Sequence, residues 1–185
     1  MLVEHNFQGT EQDVIHHFSG KTLEGCFHTA RHDFELSLKD DFFELFEDRL
    51  FALCKTQLQP IAGIHKLLDA LTTPYCVASS GSREKMALTL ATTKLNHFFE
   101  NKIFTALEVA HGKPAPDIFL HVAKHYGVTP EKCLVIEDSV NGILAAKAAG
   151  MIAIAYVEHG RFTAHEAAEA DFCIDSMSAL QAKLR

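Results

Sequence analysis

Two adjacent carboxylates, Glu137 and Asp138, close an apolar run at residues 133–136 and are followed at once by Ser139. Paired carboxylates offer the hard oxygen donors that hold Mg²⁺. Two other stretches carry complementary groups. Residues 75–82 read Tyr-Cys-Val-Ala-Ser-Ser-Gly-Ser, an apolar run ending in hydroxyls and a glycine. The N–H groups of a helix starting there attract anions, and the glycine lets a phosphate approach closely. Ser79 is placed to donate a hydrogen bond to a phosphate oxygen. Residues 111–117 read His-Gly-Lys-Pro-Ala-Pro-Asp. Their prolines restrict the backbone around Lys113, whose ammonium is a point-charge partner for phosphate. Each stretch alone also has a plainer reading. Ser79 is a helix cap, Lys113 an exposed loop cation, and the acidic pair a complement to a helix dipole.

Such groups meet only if strand ends deliver them to one edge of a sheet, where open α/β folds bind ligands. The pattern after Gly63 supplies that arrangement. Strands are predicted at 75–79, 103–106, 133–136, 152–157 and 172–174. Helices are predicted at 64–71, 83–94, from Pro114 to about Tyr126, and from Ser139 to Ala149. Strands lacking in/out alternation and separated by helices imply a parallel sheet covered on both faces. Residues 1–58 read differently, as three helices. One starts near Thr10, a second spans 22–37, and a third spans 40–57 with Phe42, Phe43, Phe46, Leu50, Phe51 and Leu53 on an apolar face. The phenylalanine stripe reads as core rather than as a ligand site. Gln59-Pro60-Ile61-Ala62-Gly63 breaks the pattern and marks the expected boundary.

Composition narrows the partners. The net charge is -7, from 17 basic and 24 acidic residues, which argues against a nucleic-acid binder with its basic face. The chain shows no run of transmembrane length and no signal peptide. The cysteine count is odd at five, without a C-x-x-C pair, so several of the cysteines, inside apolar runs, read as small core residues, and a reducing cytosol fits. Twelve histidines include the four-apart pairs His28/His32 and His121/His125, read here as exposed polar residues. Gly20-Lys21-Thr22 lacks the first glycine of a phosphate-binding loop.

The segments Val77-Ala78-Ser79-Ser80, residues 112–119 (Gly-Lys-Pro-Ala-Pro-Asp-Ile-Phe) and residues 136–142 (Ile-Glu-Asp-Ser-Val-Asn-Gly) resemble the haloacid dehalogenase superfamily of phosphohydrolases. Within it, the resemblance is to the branch of β-phosphoglucomutase and related sugar-phosphate phosphatases. It covers the chain after Gly63; residues 1–58 resemble the helical cap domain of that family more weakly. The resemblance implies a Rossmann-like, three-layer α/β core at 59–185 under a small cap at 1–58. It implies hydrolysis of a small phosphorylated metabolite, a sugar phosphate by analogy, with Mg²⁺ as cofactor. Ser79 and the backbone around Ser80 would bind the phosphoryl group, and Lys113 would neutralise its charge. Asp138 would ligate Mg²⁺, with Glu137 as a ligand directly or through water. Lys21, in Ser19-Gly20-Lys21-Thr22, resembles a cap loop that reaches the substrate; an ordinary helix-end lysine is the other reading.

Members of the family open with a strand ending in Asp-x-Asp, the first aspartate attacking phosphorus and the second moving a proton. No Asp-x-Asp occurs in these 185 residues, and residues 1–7 read as the interior of a cap helix. That strand lies mid-sheet, between those bearing Ser79 and Asp138. The chain as written is therefore expected to lack its first core strand, to leave a gap there, and to form no phospho-enzyme. A start assigned at an internal methionine would explain this. The alternative reading is a non-catalytic member that binds phosphate or a partner without turnover.

Overall fold

The computed structural model describes residues 2–184 apart from 19, 20, 40 and 159–161. The helical portion contains α1 (Glu11–Phe18), α2 (Leu23–His32) and α3 (Phe42–Gln57). Thr10 opens α1, its N–H and Oγ1 both donating to Asp13 Oδ2 at 2.7 Å. Thr22 caps α2, its Oγ1 accepting the Gly25 N–H. Helix α2 ends at His32, not at 37 as expected. Glu35 takes a left-handed φ of 52°, which a helix cannot continue through, and the N–H groups of Phe34 and Leu36 turn back to the carbonyls of Thr29 and Ala30. The expected start of α3 at Asp40 lies outside the described residues. These helices bury Phe7, Ala30, Leu36, Leu38 and Phe42 together. Leu53, expected on the apolar face of α3, is exposed, while Cys54 beside it is buried.

From Ile64 onward, helices and strands alternate. Helix α4 (Ile64–Ala70) leads to β1 (Val77–Ser79), α5 (Arg83–Thr92), β2 (Ile103–Thr105) and α6 (Asp117–Tyr126). Then come β3 (Leu134–Glu137), α7 (Val140–Ala148), β4 (Ile152–Tyr156), α8 (Ala164–Ala167), β5 (Phe172–Ile174) and α9 (Met177–Lys183). Every expected strand and helix of this portion is present. Helix α6 begins after Pro116 rather than at Pro114, and Gly127 closes it at a φ of 63°, a conformation glycine adopts without Cβ strain. Helices α8 and α9 were not anticipated. Both are short, and their start signals, Thr163 with Glu166 and Ser176, are common in loops as well.

All described strand pairs are parallel: β1 with β2, and β3 with β4 and β5 in that order. Helices cover the three-stranded sheet on both sides, giving a parallel α/β fold. Val135, Ala153 and Ala155 face Ile118 of α6 and Ile143 of α7. Ile154, Tyr156 and Ile174 face Leu67 of α4 with Met177 and Leu180 of α9. Ile118 and Ile143 are wholly inaccessible, and each such side chain contributes about 1.5–3 kcal/mol through burial. Asp171 ties the strands at their start. Its carboxylate accepts the Ala153 N–H at 2.8 Å, and its own N–H donates to the Ala153 carbonyl.

Among the described residues, β1 and β3 are not paired with each other, so the sheet is two separate pieces. Leu134 and Ile136 on β3 stay 39% and 41% exposed. This is the break expected at the sheet centre.

Candidate functional site

Strand β1 ends at Ser79, and the chain turns sharply into α5. The Gly81 N–H donates to Ser79 Oγ at 3.0 Å. Accepting that bond leaves the hydroxyl proton of Ser79 available for a further acceptor. The cap of α5 is Ser82, whose Oγ accepts the Lys85 N–H at 3.2 Å. The plainer reading of Ser79 as the cap therefore does not describe this turn. The neighbouring end of β2 is fixed to the same turn: Glu108 accepts from the Thr105 N–H at 2.9 Å and from Arg83 at 2.8 Å.

Lys113 is no loose loop cation. Its side chain is 5% exposed, and its ammonium pairs with Glu137, whose side chain is 10% exposed. Nζ also donates to the Ala78 carbonyl at 3.1 Å. One amine thus spans the break in the sheet, joining the end of β1 to the end of β3. The other oxygen of Glu137 accepts from Ser139 Oγ at 3.2 Å, while Ser139 caps α7 by accepting the Gly142 N–H at 3.1 Å. The Glu137 carboxylate lies directly against the Cα of Gly142, in space that any Cβ there would fill. Burial pushes the Glu137 carboxyl up from its usual range; the Lys113 ammonium opposes the shift, and the nearby Asp138 adds to it.

Asp138, one residue on, lines a cavity of about 630 Å³ between the helical portion and the α/β portion, within the size range of small-molecule sites. Ser80, Gly81, Ser82, Lys85 and Lys21 also line it. Lys21 donates to Thr29 Oγ1 at 2.7 Å and also lines a smaller cavity of about 220 Å³ with His16, Ser139, Asn141 and Glu166. The Ser19 and Gly20 of its loop lie outside the described residues. The structure thus brings the ends of β1 and β3, Lys113 and Lys21 to one region. Asp138, Ser80 and Lys21 line the cavity; Glu137 and Lys113, paired with each other, stand one residue or one contact behind that lining.

A hydrated Mg²⁺ needs only one or two protein carboxylates. Asp138 on the cavity wall fits that demand. Glu137 is engaged by Lys113 and Ser139, so its contact with a metal would run through water. Among the described residues, no three or more His, Cys, Asp or Glu side chains gather as a ready-made metal cage. His28 and His32 lie ring to ring at 4.3 Å and are exposed. Cys173 is exposed on the outer strand β5, while Cys54 is buried.

Sequence reasoning missed Lys85 and the role of the phenylalanine stripe. Lys85 stands three residues after the capping Ser82, a spacing that puts its side chain on the first turn of α5 beside the phosphate-type turn. The stripe was assigned to packing alone, yet Phe43, Phe46 and Leu50 of α3 form cavity wall.

The family model of the haloacid dehalogenase-like hydrolases matches residues 6–150. A 6-phosphogluconate phosphatase of Escherichia coli is 32% identical over 113 residues, 61% of this chain and 51% of that protein. A bifunctional riboflavin kinase/FMN phosphatase of Arabidopsis thaliana is 35% identical over 165 residues, 85% of this chain and 42% of the relative. The chain spans about half the length of these curated relatives. A solved hydrolase from Deinococcus radiodurans, with bound phosphate and sodium, is 26% identical with a TM-score of 0.77; the match covers 99% of this chain and 83% of that one. Among the described residues, no helix is long and apolar enough to cross a membrane.

Proposed function

Since the chain belongs to the haloacid dehalogenase-like hydrolase family, we propose that its cavity binds and helps hydrolyse a small phosphorylated metabolite with Mg²⁺ as cofactor. One observation carries the reading. The Lys113 amine links the Ala78 carbonyl and the Glu137 carboxylate, the residues immediately before Ser79 and Asp138.

The roles follow from chemistry. The Ser79 hydroxyl and the N–H groups at the start of α5 hydrogen-bond the phosphoryl oxygens. Lys113 sits in a poorly solvated setting, where a cation neutralises phosphoryl charge far better than in water. Asp138, with Glu137 behind it through water, holds the metal. When bound, Mg²⁺ supplies the charge that this kind of transfer relies on, since positioning and electrostatics do most of the work. Lys21 reaches the ligand from the helical portion, which acts as a cap over the cleft. The free cysteines suit a cytoplasmic setting. The aspartate pair that would carry the covalent step does not occur in these residues.

The test is Mg²⁺-dependent phosphate release from a panel of phosphate monoesters. It is run on this chain and on a version joined upstream to a strand ending in Asp-x-Asp. Turnover in the joined version, abolished by Asp138→Ala, is the expected result. No turnover in either would overturn the hydrolase reading in favour of a domain that binds without catalysis.

A further inference from the structure

The large cavity is lined by two chemically different sets of residues. Lys21, Lys85, Asp138 and the Ser80–Ser82 turn, with Thr22, Glu24 and Glu47, form one. Phe18, Phe27, Phe42, Phe43, Phe46 and Leu50 supply the other, with exposed Leu107 at its rim. A sugar presents hydroxyls all round, and a wall of rings interrupted only by Glu24 and Glu47 offers them few partners; each hydroxyl dehydrated without a hydrogen bond costs affinity. A flat aromatic or otherwise apolar group loses nothing there and gains offset or edge-on ring contacts. The wall already works that way within itself: Phe27 meets Phe43 edge-on at 5.8 Å, and Phe42 stacks on Phe46 at 6.4 Å. The charges fit an ester whose ionised end must face cations.

Resting on the phosphate-site reading above, we infer that the substrate is a phosphate monoester whose alcohol carries a flat aromatic ring system at its far end, rather than a simple sugar phosphate. The phosphate seats toward Ser80 and Asp138, and the ring enters between α2 and α3. Selectivity thus lies in α3, whose phenylalanine spacing places ring after ring along the cavity.

Calorimetry with Mg²⁺ present tests this on the full chain, with inorganic phosphate, 6-phosphogluconate and FMN as probes. FMN should bind at least ten-fold tighter than 6-phosphogluconate, and inorganic phosphate should compete with both. Phe46→Ala should weaken FMN at least ten-fold and leave inorganic phosphate unchanged. Leu107→Ser guards against misfolding, because that side chain is 76% exposed; it should weaken FMN in the same selective manner. Equal or tighter binding of 6-phosphogluconate, or FMN affinity unmoved in both variants, would overturn the inference while leaving the phosphate site intact. Esters that do not compete with inorganic phosphate would instead remove the phosphate-site reading, and this inference with it.

Discussion

At the residue scale, the account turns on one buried ion pair. Lys113 and Glu137 are nearly inaccessible, so removing one partner leaves the other charged and dehydrated. Lys113→Met should destabilise the chain by about 3–5 kcal/mol at neutral pH. Burial already holds the Glu137 carboxyl above its usual range. The variant loses the ammonium that opposes that shift, so the carboxyl rises further. A carboxyl whose folded pKa exceeds its unfolded one supports folding fully below the unfolded value, and that support is lost as pH rises through the folded value. The penalty of Lys113→Met should therefore shrink on acidification toward about pH 4, the unfolded range of glutamate. Urea denaturation at several pH values measures it; a pH-independent difference would refute the assignment. Lys113 also shows what sequence conveys. Its neighbours, Gly112 and the two prolines, marked it as aimed, but its target lies in a carbonyl and a carboxylate distant along the chain.

At the scale of elements, α7 is bound to β3 through one small position. Gly142 is helical, and alanine there would ordinarily stabilise an exposed helix by about 1 kcal/mol. Here a methyl group would occupy the space of the Glu137 carboxylate, which cannot retreat without leaving Lys113. Gly142→Ala should therefore destabilise by about 1–3 kcal/mol, the usual range for overpacking. An unchanged or higher unfolding midpoint would show that the carboxylate moves freely. Elements with local signals were legible: Gly127 after α6 and the apolar strands after Gly63; the cap of α5 was not, since Ser79 and Ser82 carry the same hydroxyl three residues apart. The early end of α2 was not, because a positive φ at Glu35 is imposed by tertiary turns rather than by its own chemistry. Nor was the division of labour in α3, since a ring packed on rings and a ring lining a cavity have the same spacing.

At the scale of the whole molecule, the sheet of the described residues is in two pieces, bridged at their ends by the Lys113 side chain. Unpaired strand edges beside apolar Leu134 and Ile136 are costly. A strand supplied in parallel between β1 and β3 would satisfy both edges. The chain joined upstream to such a segment should show a higher thermal unfolding midpoint by several degrees, since about 1 kcal/mol moves the midpoint a few degrees at this size; an unchanged midpoint would mean the break is stable as it stands. The break was legible only because the resemblance supplied a strand for comparison; periodicity alone reveals which strands exist, not which neighbour is wanting.

The central claim is that β1, β3 and the Lys113 loop build one site for an anion and a cation together. Calorimetric titration of inorganic phosphate, with and without Mg²⁺, into the chain and into Asp138→Asn tests it most directly. Phosphate should bind at least ten-fold tighter with Mg²⁺, and the substitution should erase that gain while the fold, followed by circular dichroism, is unchanged. Phosphate binding that ignores Mg²⁺ in the unaltered chain would contradict the claim.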